Sequence, residues 1–321
     1  MLKNVEAQSC YYGMDTVITS KAYGRYAKRA LKAAAKEALR LEKLLSRFIP
    51  ESDISRINRS AGLNWEQISD DTLEVLSQAG KLSNYSKGLL DITIAPLVDL
   101  WRAGKDTLEI PDDLRIKQLL PLVDHKGLEL NFHGKAAILH KTGQAIDLGG
   151  IGKGYAGDKL LKLYKKYDIS SAFVNIGGNV LTLGRKPDGS KWQVGISHPR
   201  EENHLIGTVE AADKAVVTSG DYQRYFKDSQ GKRQHHILDP STGYPAESGL
   251  VSVTIVSDSS TAADGLSTVL FVAGKEQGIE LLKNVPNTEA IFIDTDLVVH
   301  ITAGLTDCFH AVRDIKVKVL N

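Results

Sequence analysis

The sequence predicts an α+β fold, with a central mixed or antiparallel sheet and helices packed on it. Three observations carry that prediction. A long amphipathic helical pattern fills the early part of the chain, short β-like runs bounded by turn residues begin at residue 128, and three helical segments interrupt those runs. No composition shift marks a linker, so residues 1–321 read as a single domain with room for two lobes.

In order along the chain, a short strand over 15–20 leads into a helix over 25–47. There Ala27, Leu31, Ala34, Ala38, Leu41 and Leu45 recur at helical spacing and form one stripe to bury. A second helix spans 71–87, capped by the run from Ser69 to Asp71, with Leu73, Leu76 and Leu82 on its apolar face and Gly88 at its C-cap. Pro111 opens a short helix that ends near residue 120. The β-like runs are 128–132, 136–140, 172–175, 180–183, 192–196, 207–210, 250–256, 290–293 and 298–301. Lys186-Pro-Asp-Gly and residues 227–231 are the clearest turns between them, and helices over 154–166, 262–273 and 275–284 interrupt the series.

Bulk properties exclude several classes. With 42% hydrophobic and 25% charged residues the chain reads as a soluble globular protein, long enough to bury a core without disulfides. A formal charge of +1 argues against a general nucleic-acid binder. Cys10 and Cys308 read as two isolated thiols rather than a disulfide framework, which leaves the redox compartment open. The first ten residues lack the apolar run of a signal peptide or lipoprotein segment, and no window approaches the roughly 18 apolar residues of a membrane span. The expectation is a cytoplasmic protein, although a trimmed form of an exported protein would read the same way.

Three segments look chemical. In Ala145-Ile-Asp-Leu-Gly-Gly-Ile-Gly-Lys-Gly-Tyr-Ala-Gly-Asp an acid ends a β-like run, glycines crowd the turn and a helix begins. Glycine lets backbone approach a ligand, a helix N-terminus offers unpaired N–H groups to phosphate, and Lys153 stands where its charge could meet a pyrophosphate. A tight strand-to-helix turn without ligand explains the same residues, and the spacing is neither a Walker loop nor a dinucleotide fingerprint. In Ala263-Asp-Gly-Leu-Ser-Thr, Asp264 and Thr268 stand at i and i+4 on one helical face, a carboxylate and a hydroxyl that suit Mg²⁺. Support of the first helical turn by Asp264 is the plainer reading. In Gln234-His-His-Ile-Leu-Asp-Pro-Ser-Thr-Gly, one of two adjacent histidines can serve as a general base, and on an extended segment the two face opposite ways. Which one, the residues alone leave open. Thr218-Ser-Gly-Asp and Asn175-Ile-Gly-Gly-Asn read as plain turn chemistry.

Taken in order, these segments resemble the ApbE family nearly end to end. Gly13-Met-Asp-Thr is similar to its opening block, with Asp15 where glycine is usual; Ser46-Arg-Phe and Ser55-Arg-Ile-Asn resemble the next. Gly88-Leu-Leu-Asp-Ile-Thr-Ile-Ala-Pro-Leu-Val with Trp101 follows, with Leu90 for the customary phenylalanine and Ala95 for glycine. Then come Asp147-Leu-Gly-Gly-Ile-Gly-Lys-Gly-Tyr, Asn175-Ile-Gly-Gly, Thr218-Ser-Gly-Asp-Tyr, His236-Ile-Leu-Asp-Pro-Ser-Thr-Gly and Ala263-Asp-Gly-Leu-Ser-Thr.

The resemblance implies an enzyme that binds FAD with Mg²⁺ in a cleft, leaves FMN phosphoester-linked to a Ser or Thr of an acceptor protein, and releases AMP. Carried over by position, it implies Asp264 and Thr268 as metal ligands, with a main-chain carbonyl of the glycine loop as the third, placed at Gly150 ahead of Gly152. It implies His236 as the base and His235 as a bystander. It implies FAD contacts at Met14, Phe48, Leu89, Leu90, Asp91, Asp147, Lys153 and Ile237, those near Asp15 and Leu90 being the ones the substitutions touch. Acceptors in such a family are flavoprotein subunits of membrane electron-transfer systems carrying a short Ser/Thr motif. Rival readings are a Mg²⁺-dependent FAD pyrophosphatase, with water in place of the acceptor hydroxyl, a non-catalytic FAD carrier, and, further off, an oxidoreductase.

Overall fold

The computed structural model of the chain describes residues 5–320, the side chains of residues 106 and 107 excepted. Residues 1–4 and 321, the extreme ends of the single-domain span, lie outside the described residues. The large sheet has nine strands: β1 (Glu6–Gly13), β2 (Thr16–Tyr23), β3 (Ser171–Ile176), β4 (Asn179–Leu183), β5 (Ala215–Gly220), β6 (Leu250–Ser257), β7 (Thr288–Asp294), β8 (Val299–Thr302) and β9 (Val317–Leu320). They lie side by side in chain order, every neighbouring pair antiparallel except β8 and β9, which run parallel. The helices are α1 (Ala27–Leu45), α2 (Asp53–Arg59), α3 (Asp70–Tyr85), α4 (Ala95–Thr107), α5 (Asp113–Leu119), α6 (Gly152–Lys166) and α7 (Ser260–Leu282). The fold is α+β, as the sequence predicts.

Side-chain alternation explains the layers. On β5, β6 and β7, Val217, Val253, Ile255, Ala290 and Phe292 face the helical side, where they pack with α1, α6 and α7. Their neighbours Val216, Val256, Ile291 and Ile293 face the other way, onto a three-stranded sheet of Trp192–Ser197, Leu205–Ala211 and Phe309–Ala311. Both faces are covered, so β6 is buried at every position and its run reads as continuously apolar or small. A third cluster joins Leu97 and Trp101 of α4 and Ile116 of α5 to Phe226 and Leu238, and forms one wall of the cleft described below.

All six residues of the predicted stripe on α1 are buried. The two helices expected over 262–273 and 275–284 are one run broken at Gly274, whose φ of 78° and ψ of 174° are non-helical. Elsewhere the structure departs from expectation. Asp15 sits in the β1–β2 turn rather than in a strand. Several elements had no sequence signal strong enough to register, among them β9 and the short strands Tyr225–Lys227, Arg233–His235 and Phe309–Ala311. β1 is a polar edge strand, α2 is only seven residues long, and α4 starts at Ala95-Pro with no side-chain cap. β5 is the clearest correction: Thr218 and Ser219, taken as turn residues, lie within the strand, their hydroxyls bonded to Thr254 and Ser267. Both cysteines are free. Among the described residues no helix is long and apolar enough to cross a membrane.

Candidate active site

A cleft of about 840 Å³ opens beside the helical layer, walled by the β1–β2 turn, the end of α1, α4, the start of α6 and the hairpin Tyr225–Lys227/Arg233–His235. The β1–β2 connection is a two-residue turn with φ of 54° at Met14 and 57° at Asp15, the left-handed pair that suits the twist of a hairpin. It carries Tyr12, Met14 and Asp15 to the rim.

Past α1, Arg47 points inward with its side chain only 9% exposed. Its guanidinium donates to both oxygens of Asp99, at 2.5 and 2.9 Å, and its Nε lies 2.8 Å from Asp147 Oδ2. Phe48, by contrast, is exposed at the cleft mouth between two guanidiniums, Arg47 at 4.8 Å and Arg102 at 5.2 Å from its ring centre. Asp147 is anchored twice more: its N–H donates to the Ile92 carbonyl at 2.7 Å and its Oδ1 accepts from Gly149 N–H at 2.6 Å. The aspartate therefore holds the glycine loop in shape from the cleft wall.

The loop runs into α6, and here the structure revises the reason for the glycines. Gly149, Gly150, Gly152 and Gly154 all avoid the left-handed region. A Cβ on Gly154 would collide with the Ser260 carbonyl oxygen and stand 2.6 Å from Asp264 Cβ. Gly154 lets α6 cross α7 in contact, and its N–H donates to Asp264 Oδ2 at 2.8 Å. Asp264 is buried, with its other oxygen 3.9 Å from Lys153 Nζ. Lys153 itself lines the cleft and donates to the Gly149 carbonyl at 3.1 Å. Thr268, one turn on from Asp264, faces the loop: a Cβ on Gly150 would lie 3.4 Å from Thr268 Oγ1.

Those residues fit a Mg²⁺ ion. Among the described residues no three His, Cys, Asp or Glu gather into a metal cage. The donors present at the loop are one carboxylate oxygen without a hydrogen bond, one hydroxyl and the main-chain carbonyls of a glycine turn, all hard oxygens. Mg²⁺ commonly takes few protein ligands and completes its shell with water and phosphate.

The two histidines face opposite ways. His235 is buried edge-on against Phe271, with Nε2 3.1 Å from the Ala246 carbonyl and Nδ1 accepting from Ile237 N–H at 3.3 Å. Both its nitrogens are spent, and burial pushes its pKa down. His236 opens to the cleft with Nδ1 3.1 Å from the Arg224 carbonyl, a contact that favours the proton on Nδ1 and leaves Nε2 as an acceptor. His236 is itself exposed to the cleft, but the protein gathered around the cleft desolvates it and pushes it down to about 4. The Arg224 carbonyl opposes the shift, while the charges of Arg224 and Lys153 add to it.

Of the residues singled out from sequence, Met14, Asp15, Phe48, Asp147, Gly152, Lys153 and both histidines line the cleft, His235 while remaining buried. Asp264, Thr268 and Gly150 meet just behind Lys153, as above. The structure does not bring Leu89, Leu90, Asp91 or Ile237 to the lining. Leu90 and Ile237 are buried in the main core, and Leu89 packs against it. Asp91 is buried too, accepting from Thr93 N–H at 2.8 Å, Thr93 hydroxyl at 2.6 Å and His125 N–H at 2.8 Å. These bonds tie the loop together. Sequence reasoning missed Arg47, Arg102 and Arg224. Arg47 alone had a signal, lying inside the quoted Ser46-Arg-Phe block.

The family model described as "ApbE family" matches residues 14–292. A curated protein of Klebsiella pneumoniae, named FAD:protein FMN transferase, is 35% identical over 255 residues, covering 79% of this chain and 78% of that protein. One of the same name from Treponema pallidum is 32% identical over 312 residues, covering 92% and 86%. Among solved structures, an ApbE protein of Thermotoga maritima superposes with a TM-score of 0.86 at 29% identity, covering 94% of this chain and 98% of its own. The apo flavinyl transferase ApbE of Pseudomonas stutzeri gives 0.84 at 29% identity, covering 97% and 99%.

Proposed function

The chain belongs to the ApbE family, and on that premise we propose that it is a Mg²⁺-dependent transferase moving FMN from FAD to a Ser or Thr of an acceptor protein. One observation supports this most: a buried carboxylate and a hydroxyl meet a glycine turn beside a lysine, next to a cleft into which a neutral histidine points its free nitrogen.

The acceptor oxygen attacks the FMN-side phosphorus of the FAD pyrophosphate as the bond to the AMP-side bridging oxygen breaks, and AMP departs with that oxygen. His236 takes the acceptor proton on Nε2, while the Arg224 carbonyl holds Nδ1–H and so the tautomer. Lys153 and the start of α6 set a positive potential at the phosphates before they arrive. Asp264, Thr268 and the Gly150 carbonyl would hold Mg²⁺, which supplies charge neutralisation at the pyrophosphate when bound. Phe48, flanked by Arg47 and Arg102, offers a flat, electron-rich face at the mouth for a flavin or adenine ring. The acceptor is proposed to be a flavoprotein subunit of a membrane electron-transfer system, as the resemblance implies.

Incubation with FAD, Mg²⁺ and a domain bearing a Ser/Thr flavinylation motif, read by intact mass, tests the proposal. A gain of one FMN with AMP released, both lost on adding EDTA, is the expected result. Free FMN and AMP with an unmodified acceptor would make the chain a pyrophosphatase, and bound but intact FAD would make it a carrier.

A further inference from the structure

We infer that Ser219, on β5, is a positioning residue that turns the Thr268 hydroxyl so that its lone pairs face the cation site. The inference rests on the proposal that Asp264 and Thr268 ligate a cation.

A hydroxyl has one proton to give and two lone pairs to offer. To ligate a cation, Thr268 must send its proton elsewhere. Inside a helix the usual acceptor is the carbonyl four residues back, here that of Asp264. That carbonyl already accepts the Ser267 hydroxyl at 2.8 Å, in addition to its place in the α7 ladder. Ser267 has therefore spent its only proton. In the 2.7 Å contact between Ser267 and Ser219, Ser219 must then be the donor. Ser219 is left with lone pairs only, so its 3.5 Å contact with Thr268 runs from Thr268 to Ser219.

The direction of the whole chain of hydroxyls is fixed from its far end. The proton order is Thr268 to Ser219 to Ser267 to the Asp264 carbonyl. What faces the glycine loop from Thr268 is lone pair, not hydrogen. Ser219 is well placed for this because its strand is held from outside the helix, paired with β6 at Val253 within the sheet and packed by one face against α7. Outer-shell hydrogen bonds of this kind orient metal ligands, and their loss typically weakens metal binding about 10–100-fold.

The alternative role for Ser219 is plain adhesion between β5 and α7, which would show as lost stability without selective loss of metal. Mn²⁺, titrated into the FAD-bound protein and read by the EPR signal of the free ion, measures the site directly. FAD affinity in EDTA, followed by flavin fluorescence, is the control that adhesion would move. Ser219→Ala is expected to weaken Mn²⁺ binding about 10–100-fold with FAD affinity in EDTA unchanged, and Ser219→Thr, which keeps the hydroxyl, to stay within about threefold of the parent. Parent-like Mn²⁺ affinity in Ser219→Ala, equal losses in both variants, or a parallel fall in FAD affinity in EDTA would each overturn the inference. If Ser219→Ala does not fold, Ser219→Cys takes its place: the thiol occupies the same site but is a weak acceptor, so Mn²⁺ affinity must still fall with FAD affinity in EDTA unchanged, and parent-like Mn²⁺ affinity would overturn the inference. Asp264→Ala separates the two levels. If it keeps Mn²⁺, the cation proposal itself fails; if it loses Mn²⁺ while Ser219→Ala does not, only the hydroxyl relay is wrong.

Discussion

Changing pH is the most direct test of His236 as base, because its surroundings predict an unusual profile. An ordinary histidine titrates near 6.5, so at pH 5.5 only about 9% would be the neutral base. Pushed down to about 4 by the surrounding protein, His236 would be about 97% neutral at that pH, a difference of roughly tenfold in competent enzyme. The sign follows from the direction of the shift: desolvation disfavours the imidazolium, so the base form persists as pH falls through 6.5 and is lost only near 4. The assay is kcat/KM for FAD, at saturating Mg²⁺ and acceptor held well below its KM, from pH 4.5 to 8, since this ratio then reports groups of the enzyme before FAD and acceptor bind. Expected is a value that changes less than about twofold between pH 5.5 and 7.5. A clean tenfold fall over that range, with a midpoint near 6.5, would refute the reasoning: either the ring is well hydrated or another histidine carries the proton.

Four further outcomes follow from the packing. His236→Ala should keep the fold and FAD binding while losing transfer by about 10²–10⁴-fold; His235→Ala should lose thermal stability, through its contacts with Phe271 and Ala246, and keep transfer, as measured by acceptor mass and melting. Asp264→Ala should abolish Mg²⁺-dependent turnover, and near-normal turnover at ordinary Mg²⁺ would remove it from the metal site. Gly154→Ala must part α6 from α7 and should cost about 1–3 kcal/mol, seen as a melting point lower by roughly 2–5 °C, with weaker Mn²⁺ binding because Asp264 moves. Arg47→Met leaves Asp147 without its ion pair on a mostly buried wall; about 1–3 kcal/mol should be lost in urea unfolding, allowing for the exposure of Asp99, and FAD affinity should fall with it.

Much of this was legible because it depends on periodicity. The α1 stripe, the break at Gly274 and the Asp264–Thr268 pair are all consequences of 3.6 residues per turn, which a sequence displays openly. The hairpin at Met14 and Asp15 was less so, since neither residue is the glycine that normally signals positive φ. β5 was hidden because Thr218 and Ser219 bond to Thr254 and Ser267, and half-buried hydroxyls look like turn residues when their partners are 36 and 48 positions away. The resemblance marked Asp91 and Ile237 as firmly as His236. Position in a motif does not distinguish a side chain that lines the cleft from one that is bonded within the protein beside it, and only the hydrogen bonds of Asp91 to Thr93 and His125 place it among the latter.

The two helices that would build the proposed cation site cap each other, and this explains why Asp264 can be both buried and available. Asp158, on α6, accepts from Ser260 N–H and Thr261 N–H at 2.9 Å each, at the start of α7. Asp264, on α7, accepts from Gly154 N–H at the start of α6. Each helix thus satisfies N-terminal donors of the other, an arrangement that stabilises both carboxylates by hydrogen bonding and by the helix dipole. With one Asp264 oxygen fixed by the α6 backbone, the other has a set direction, toward Lys153 and the cleft. A glycine at 154 is what allows the approach, so the glycine run is as much a joint between two helices as a surface for phosphate. The positions of the Asp264 carboxylate and the Thr268 hydroxyl are therefore set by backbone and helix packing, the preorganisation that the proposed cation site requires.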